Sequence, residues 1–420
     1  MLTKAPRGTK DVLPSDVYKW VYVEKMFSEI CEKFGYQAIR TPVFEHTELF
    51  KRGVGETTDI VQKEMYTFTD NGGRDITLKP EGTAPVVRAF VENKLYAGTQ
   101  PTKLFYITPC FRYERPQAGR LRAFHQFGIE AFGSKNPSVD AEVIGVAMTF
   151  FEKLGLKNLQ LRINSIGCPE CRKKYNEVLR TFLKDKMGKL CKTCAGRYDR
   201  NPMRIIDCKK EECQKELKGV PLILDYICDE CKEHFEKLQK YLSIMGLEFK
   251  IDPKIVRGLD YYNRTAFEII SNEIGSQSTV CGGGRYDGLV EEIGGPSTPG
   301  VGFGLGIERL ILTLENNNID IPRPKGLDAF IVTMGERAYE AAVEISHKLR
   351  NNMVSVDIDH LGRSIKAQFK YSNKVNSKYT IVIGDNELDN NSVSLKNMET
   401  GIQEEIDLDT IVEEITKRIK

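Results

Sequence analysis

The sequence predicts an α+β chain: an antiparallel sheet flanked by helices, a helical insertion, and a small C-terminal α/β domain. Three observations carry that prediction. Residues 111–130, FRYERPQAGRLRAFHQFGIE, read as strand, basic loop and strand of one sheet. Between about residues 166 and 242 the character changes to Lys/Glu-rich helices that hold eight of the 11 cysteines. After a linker, NNNIDIPRPKG (316–326), strands and helices alternate to the end, as in a compact α/β domain of about 95 residues.

Composition bounds the function. With 420 residues, 40% hydrophobic and 29% charged, the chain suits a soluble globular protein of two or three domains. Lys+Arg 61 against Asp+Glu 59 is nearly balanced, so any nucleic-acid binding must come from local patches. The opening MLTKAPRGTKDVLP has no apolar core of a signal peptide, and no later run is long and uncharged enough for a bilayer. A cytoplasmic location without a membrane partner is expected. There thiols stay reduced, which argues against disulfides.

In chain order, a helix is expected from Ser15, as N-cap after Pro14, to about Phe34, with Gly35 stopping it. A strand and turn follow over 37–44. Asp75 to Leu78 reads as a short strand entering Lys79-Pro80-Glu81-Gly82-Thr83, a turn that exposes Glu81 and Thr83 before a helix near Ala84. That carboxylate and hydroxyl either cap the helix or hold an ammonium group. In the hairpin, period-2 alternation puts Arg112 and Glu114 on one face of the first strand and Arg122, Phe124, Gln126 and Glu130 on one face of the second. Such a polar face must meet a polar ligand. Arg112 offers a fork to phosphate, Phe124 a ring for a base, and Glu130 an acceptor for N–H groups. Arg115 and Arg120 lie on the loop between. A helix over 139–154 and a strand over 159–164 lead into the insertion; strands resume at 249 and 264–270. In the C-terminal domain strands are expected over 328–333, 354–357 and 379–383, with helices over 337–349 and from about Arg363. A hairpin tipped by Thr400-Gly401 and a closing helix finish the chain. Arg363, Lys366, Lys370 and Lys374, spaced 3, 4 and 4, line one helical face.

FRYER…GR.R.FHQ.G.E resembles motif 2 of the class II aminoacyl-tRNA synthetases, in the form used by the histidyl-tRNA synthetases. TPVFEHTELFKR (41–52) resembles motif 1, LKPEGTAPVVRA (78–89) the amino-acid-binding loop, and GFGLGIERL (302–310) motif 3. VRGLDYYNRTAFE (256–268) and GGGRYDGL (282–289) resemble the two histidine-specific signatures. The resemblance implies a class II catalytic domain over 1–325, containing the insertion at 166–242, and an anticodon-binding domain over 326–420. It implies a homodimer formed through the N-terminal helix and strand, and an insertion that approaches the acceptor arm of tRNA. Lys79 stands where the family more often has Arg. The nearest relative without catalysis, the histidine-binding regulatory subunit of ATP phosphoribosyltransferase, lacks the anticodon-binding domain and loses site residues.

The implied reaction joins L-histidine to ATP as histidyl-adenylate, releasing pyrophosphate, and then transfers histidine to the 3′ end of tRNA(His). An anion attacks an anion, so positive charge must gather at the α-phosphorus. Arg112, Arg257 and Arg309 are the expected catalytic cations, with Mg²⁺ on the β- and γ-phosphates needing few protein ligands. The histidine carboxylate is already ionised, so no general base is required. Glu130 and Tyr262, with Tyr261 beside it, are expected at the imidazole; Gln126, Glu81 and Thr83 at the backbone end of histidine. Glu114 and Phe124 would meet adenine, Arg120 the triphosphate, and Arg115, with Arg363, Lys366 and Lys370 of the last domain, tRNA. No G-x-x-x-x-G-K-[ST] loop and no His-Ile-Gly-His segment occurs, which excludes the Walker and class I modes of holding ATP.

The cysteines carry a separate expectation. Cys168 with Cys171, Cys191 with Cys194, and Cys228 with Cys231 are C-x₂-C pairs, and Cys208…Cys213 is a looser fourth. Pairs so spaced suit a structural Cys₄ Zn²⁺ site, for which Cys168, Cys171, Cys191 and Cys194 are candidates. Eight thiols make two sites, one site with spare cysteines, or only reduced buried thiols. Zinc would take no part in adenylation.

Overall fold

The computed structural model describes residues 3–56, 58–271 and 279–419. The chain divides into two compact units, Met1–Pro322 and Arg323–Lys420.

In the first unit, among the described residues, eight strands form one sheet. Their order is Gln37–Ala38, Thr102–Phe111, Ala123–Phe132, Gly300–Gly306, Thr279–Arg285, Asn263–Ser271, Leu159–Ser165 and Phe249–Ile251. The five inner pairings are antiparallel and only the two edge pairings are parallel. Alternation sorts the side chains between two faces. Phe127 and Ile129 from one strand, and Val301, Phe303 and Leu305 from its neighbour, enter a core shared with the Pro14–Lys33 and Pro137–Lys153 helices. There Phe27 stacks on Phe127, centroids 4.5 Å apart, and meets Phe150 edge-on at 5.3 Å. Each such fully buried ring contributes about 1.5–3 kcal/mol. The other face carries a second apolar cluster, in which Leu104, Tyr106 and Phe132 pack with Val86, Val87 and Phe90 of the Thr83–Glu92 helix, and is bare in its middle. Register aligns Tyr106, Gly128, Gly304, Gly282 and Glu268 in one row across five strands, so three glycines run through its middle.

Several expected elements move. The first helix begins at Pro14, which occupies the first turn at no cost because its missing N–H had no partner there; Ser15 does not cap it. Ser15 Oγ donates to Asp16 instead. The first hairpin strand ends at Phe111, so Arg112 and Glu114 lie beyond it in an extended stretch. The Arg112 N–H still bonds the Arg122 carbonyl at 2.9 Å and carries the pairing one step further. Glu81 and Thr83 are buried, not exposed, at the start of the Thr83–Glu92 helix. The Asp229–Ile244 helix, expected within the insertion, packs Phe235, Leu238 and Leu242 into the main core. Its apolar stripe belongs to the sheet and only its first turn to the insertion.

In the second unit the sheet order is Val356–Ile358, Ala329–Met334, Tyr379–Gly384, Ser392–Asn397, Gln403–Asp407. The first three strands are parallel and the last two form the expected hairpin. Helices Glu336–Asn351 and Ile411–Ile419 bury Ala342, Ile345, Leu349, Ile411 and Ile415 against it. Lys366, Lys370 and Lys374 are exposed on the Ile365–Lys374 helix. Arg363 is not on that face. It precedes the helix, pairs with Asp359 at 2.6 Å and lies over the Tyr371 ring.

Candidate active site

The bare middle of the sheet's second face forms the floor of a cavity of about 390 Å³. Glu81 and Thr83 reach it from a helix N-terminus, Arg112, Glu114, Arg120, Phe124 and Gln126 from the hairpin, and Arg257, Tyr261 and Tyr262 from the segment before the Asn263–Ser271 strand. Arg309 enters from the first turn of the Ile307–Asn316 helix. Two expected residues are not in its lining: Glu130, which is buried, and Arg115, which is exposed on the loop. The glycines explain the space. A Cβ on Gly282 would strike the Arg257 guanidinium, one on Gly304 the Gln126 amide, and one on Gly302 the Glu130 carboxylate. Long polar side chains lie across these positions because nothing rises from them.

Five guanidiniums line the cavity, those of Arg112, Arg120, Arg204, Arg257 and Arg309. Arg257 Nη1 meets Glu268 Oε1 at 2.7 Å, while its buried Nε has no partner among the described residues. Desolvation pulls its pKa down, but Glu268 and the tyrosines at 262 and 261 outweigh that and hold the cation. Arg112 Nε donates to the Pro80 carbonyl at 2.8 Å, and its guanidinium covers one face of the Phe124 ring at 5.3 Å. Arg309 Nη1 donates to the Thr279 carbonyl at 2.8 Å. Burial lowers its pKa first, and Arg120 and Arg112 push the same way. An anion entering the cavity would relieve that repulsion. Glu114 meets Arg120 at 3.2 Å, and Gln117 bridges to Arg120, so the loop is closed on itself.

At the other end, Glu81 caps the helix, accepting from the N–H groups of Thr83 at 2.8 Å and Ala84 at 2.7 Å. Capping and ligand binding are not exclusive, since a carboxylate has about four acceptor positions. Gln126 Oε1 accepts from the Gly82 N–H at 3.0 Å and the Cys110 thiol at 3.3 Å, which leaves its NH₂ to donate elsewhere. Glu130 accepts from Tyr286 Oη at 2.5 Å and Tyr106 Oη at 3.2 Å. Burial pushes its pKa up to about 8, with the tyrosine hydroxyls pulling the other way. The Tyr261 hydroxyl is buried with no partner among the described residues. Tyr106 and Tyr286 were not anticipated. Tyr286 lies inside GGGRYDGL but falls on no predicted face, and Tyr106 precedes the stretch read as the hairpin, so the register of four neighbouring strands is what brings both to Glu130. Lys79 is also buried, its Nζ held by Thr41 Oγ1 at 3.1 Å and the Thr41 carbonyl at 3.3 Å, and burial lowers its pKa.

Beside this cavity lies a second, of about 210 Å³, lined in part by Lys63, Lys192, Arg197, Arg200 and Arg204. The insertion's thiols form two groups, Cys168 with Cys171, Cys228 and Cys231, and Cys191 with Cys194, Cys208 and Cys213. The two pairs expected to share one site, Cys168/Cys171 and Cys191/Cys194, therefore do not meet; each folds onto a later pair.

The family model described as histidyl-tRNA synthetase matches residues 8–310, and an anticodon binding domain model matches 328–418. The chain belongs to the histidyl-tRNA synthetase family. It is 63% identical, over the full length of both chains, to the histidine–tRNA ligase of Clostridioides difficile (strain 630), and 64% identical, again over all 420 residues, to that of Thermoanaerobacter sp. (strain X514). The crystal structure of the apo histidyl-tRNA synthetase of S. aureus matches with a TM-score of 0.85 at 44% identity, covering 99% of this chain and 100% of that one. Both the class II sheet and the C-terminal sheet domain of the family are thus present. This likeness supports an enzyme of the aminoacyl-tRNA ligase class over the regulatory-subunit alternative.

Proposed function

We propose that the chain activates L-histidine with ATP, forming histidyl-adenylate and pyrophosphate, and then esterifies the 3′ end of tRNA(His). One observation carries the chemistry: of the arginines that line the cavity, Arg112 and Arg309 have no carboxylate partner among the described residues, while Arg257 pairs with Glu268. Arg112 and Arg309, held by backbone carbonyls, are left to meet a triphosphate. Arg112 and Arg257 stabilise the α-phosphoryl group as its charge grows, and Arg309 adds to the positive end of its helix. Mg²⁺ travels with ATP and supplies further charge at the β- and γ-phosphates. The Gln126 NH₂ orients the histidine carboxylate; Glu81 and Thr83 receive the ammonium. Glu130 and Tyr262 take the two imidazole nitrogens, and Tyr261, with its unused buried hydroxyl, completes that end. Phe124, on the face that Arg112 leaves open, and Glu114, released by Arg120, serve adenine. The acceptor end of tRNA enters over Arg115 and the basic second cavity, while Arg363, Lys366 and Lys370 contact tRNA on the C-terminal unit.

A homodimer is part of this reading. Leu13 before the first helix and Val17 and Val21 on it, with Val43 and Phe44 in the region that resembles motif 1, are exposed apolar side chains. A cytoplasmic location goes with it. ATP–pyrophosphate exchange tested across amino acids checks the whole: histidine alone should support it, and exchange driven by another amino acid would overturn it.

Above about pH 8, where Glu130 is a carboxylate, Glu130→Gln is expected to weaken histidine binding by about 1–3 kcal/mol, because an amide cannot accept from both tyrosines and from an imidazole N–H. Unchanged affinity in equilibrium dialysis would remove Glu130 from the pocket. The pH dependence has a definite sign. Between the ordinary carboxyl range and about pH 8 the native chain holds a proton that the unfolded chain has released. This group's contribution is present at low pH and lost as pH rises through about 8. Denaturant midpoints should therefore fall less steeply with pH in Glu130→Gln than in the parent.

A further inference from the structure

We infer that the chain binds two Zn²⁺ ions in two separate tetrathiolate sites, Cys168, Cys171, Cys228 and Cys231 in one and Cys191, Cys194, Cys208 and Cys213 in the other. The Sγ atoms within each four lie no more than 4.8 Å apart. Zn–S bonds of about 2.3 Å give a tetrahedral edge of about 3.8 Å, so a small inward shift closes either site. A four-iron cluster would hold its thiolates farther apart. None of the 11 cysteines is in a disulfide.

The surrounding backbone is arranged for thiolate rather than thiol. The Cys228 N–H points at Cys171 Sγ at 3.1 Å, and the Cys191 N–H at Cys213 Sγ at 3.3 Å. Cys168 and Cys228 each stand at the N-cap of a long helix, where the unpaired N–H groups favour negative charge. A metal with four thiolates carries two net negative charges, and these donors spread them. Binding releases the thiol protons to solvent.

The sites differ in what they hold. The first ties the point where the chain leaves the sheet, just past the Leu159–Ser165 strand, to the point where it returns at the Asp229–Ile244 helix. Arg172, next to Cys171, donates from Nη1 to the Tyr262 carbonyl at 3.0 Å and to the Asp260 carbonyl at 3.4 Å. The first ion therefore fixes the backbone that carries Tyr261 and Tyr262. The second sits at the Lys192–Arg197 helix, whose Lys192 and Arg197 line the basic second cavity. The kinetic difference between the sites rests on the proposed ligase activity, whereas the metal count does not.

Full-length protein purified under reductant without chelator should contain about two zinc ions per chain by elemental analysis. One or none would overturn the inference, as would an intact mass lowered by lost thiol hydrogens. Cys231→Ser and Cys194→Ser should each lose about one ion. Should either variant precipitate, Co²⁺-reconstituted parent protein decides instead. Thiolate-to-cobalt charge-transfer absorption that saturates at about two equivalents supports the sites, and its absence sinks them. In exchange assays Cys231→Ser should raise the histidine KM several-fold with kcat less affected. Cys194→Ser should leave exchange within about twofold and lower tRNA charging. Identical exchange kinetics in the two variants would overturn the link from the first site to the histidine pocket.

Discussion

Arg257→Ala should reduce histidyl-adenylate formation by roughly 10²–10³ or more, while histidine still binds within about tenfold. The guanidinium is partly buried, with a buried Nε that has no partner among the described residues, and it fits because Gly282 has no side chain. Its charge matters most when the α-phosphoryl group gains a fifth oxygen, so the loss falls on the transition state. A second penalty compounds the first. Glu268, left without its cation, keeps the Thr279 hydroxyl at 3.1 Å as its one partner among the described residues and places an unpaired carboxylate near phosphate. ATP–pyrophosphate exchange together with equilibrium dialysis separates the two effects. Exchange within a factor of a few of the parent would remove Arg257 from the chemistry.

Deleting residues 325–420 should spare histidine activation and cripple aminoacylation of tRNA. The chain divides at Pro322/Arg323, each unit has its own sheet and apolar core, and the cavity belongs wholly to the first. Lys366, Lys370 and Lys374 would be lost with the second, and with them a salt-dependent share of RNA affinity. Steady-state charging of tRNA, compared with exchange on the same preparation, tests this. Equal charging by the truncated chain would contradict it. Sedimentation should still give a dimer, because the exposed apolar residues of the first helix remain; a monomer would count against that interface.

Much of the site was legible because strands alternate with a period of two. Phe124, Gln126 and Glu130 fall on one face of the Ala123–Phe132 strand by counting alone. Arg363 shows the limit of counting. Its spacing from Lys366 fits a helix, but the helix starts at Ile365, and Asp359 holds the arginine in the preceding turn. Glu81 looked exposed because a Pro-Glu-Gly turn usually is; burial came from a tertiary neighbour, Tyr106, lying across Gly82. Tyr106 and Tyr286 were out of reach for the same reason. Their meeting at Glu130 depends on the pairing of strands far apart in sequence, and no local pattern encodes it. The cysteine pairs were visible as pairs, but which pair closes on which depends on helix ends about 20 and 60 residues away.

The glycines that admit the site's polar side chains have a consequence for how the protein can change. Every missense step from a glycine codon adds at least a Cβ, so Gly282, Gly302 and Gly304 have no mild neighbour among the substitutions open to them. An alanine scan, designed to remove atoms, would add them here and displace Arg257, Glu130 or Gln126 without touching those residues. New substrate range must therefore arise in the walls, where side chains can be exchanged by degrees, while the floor stays closed to gradual drift.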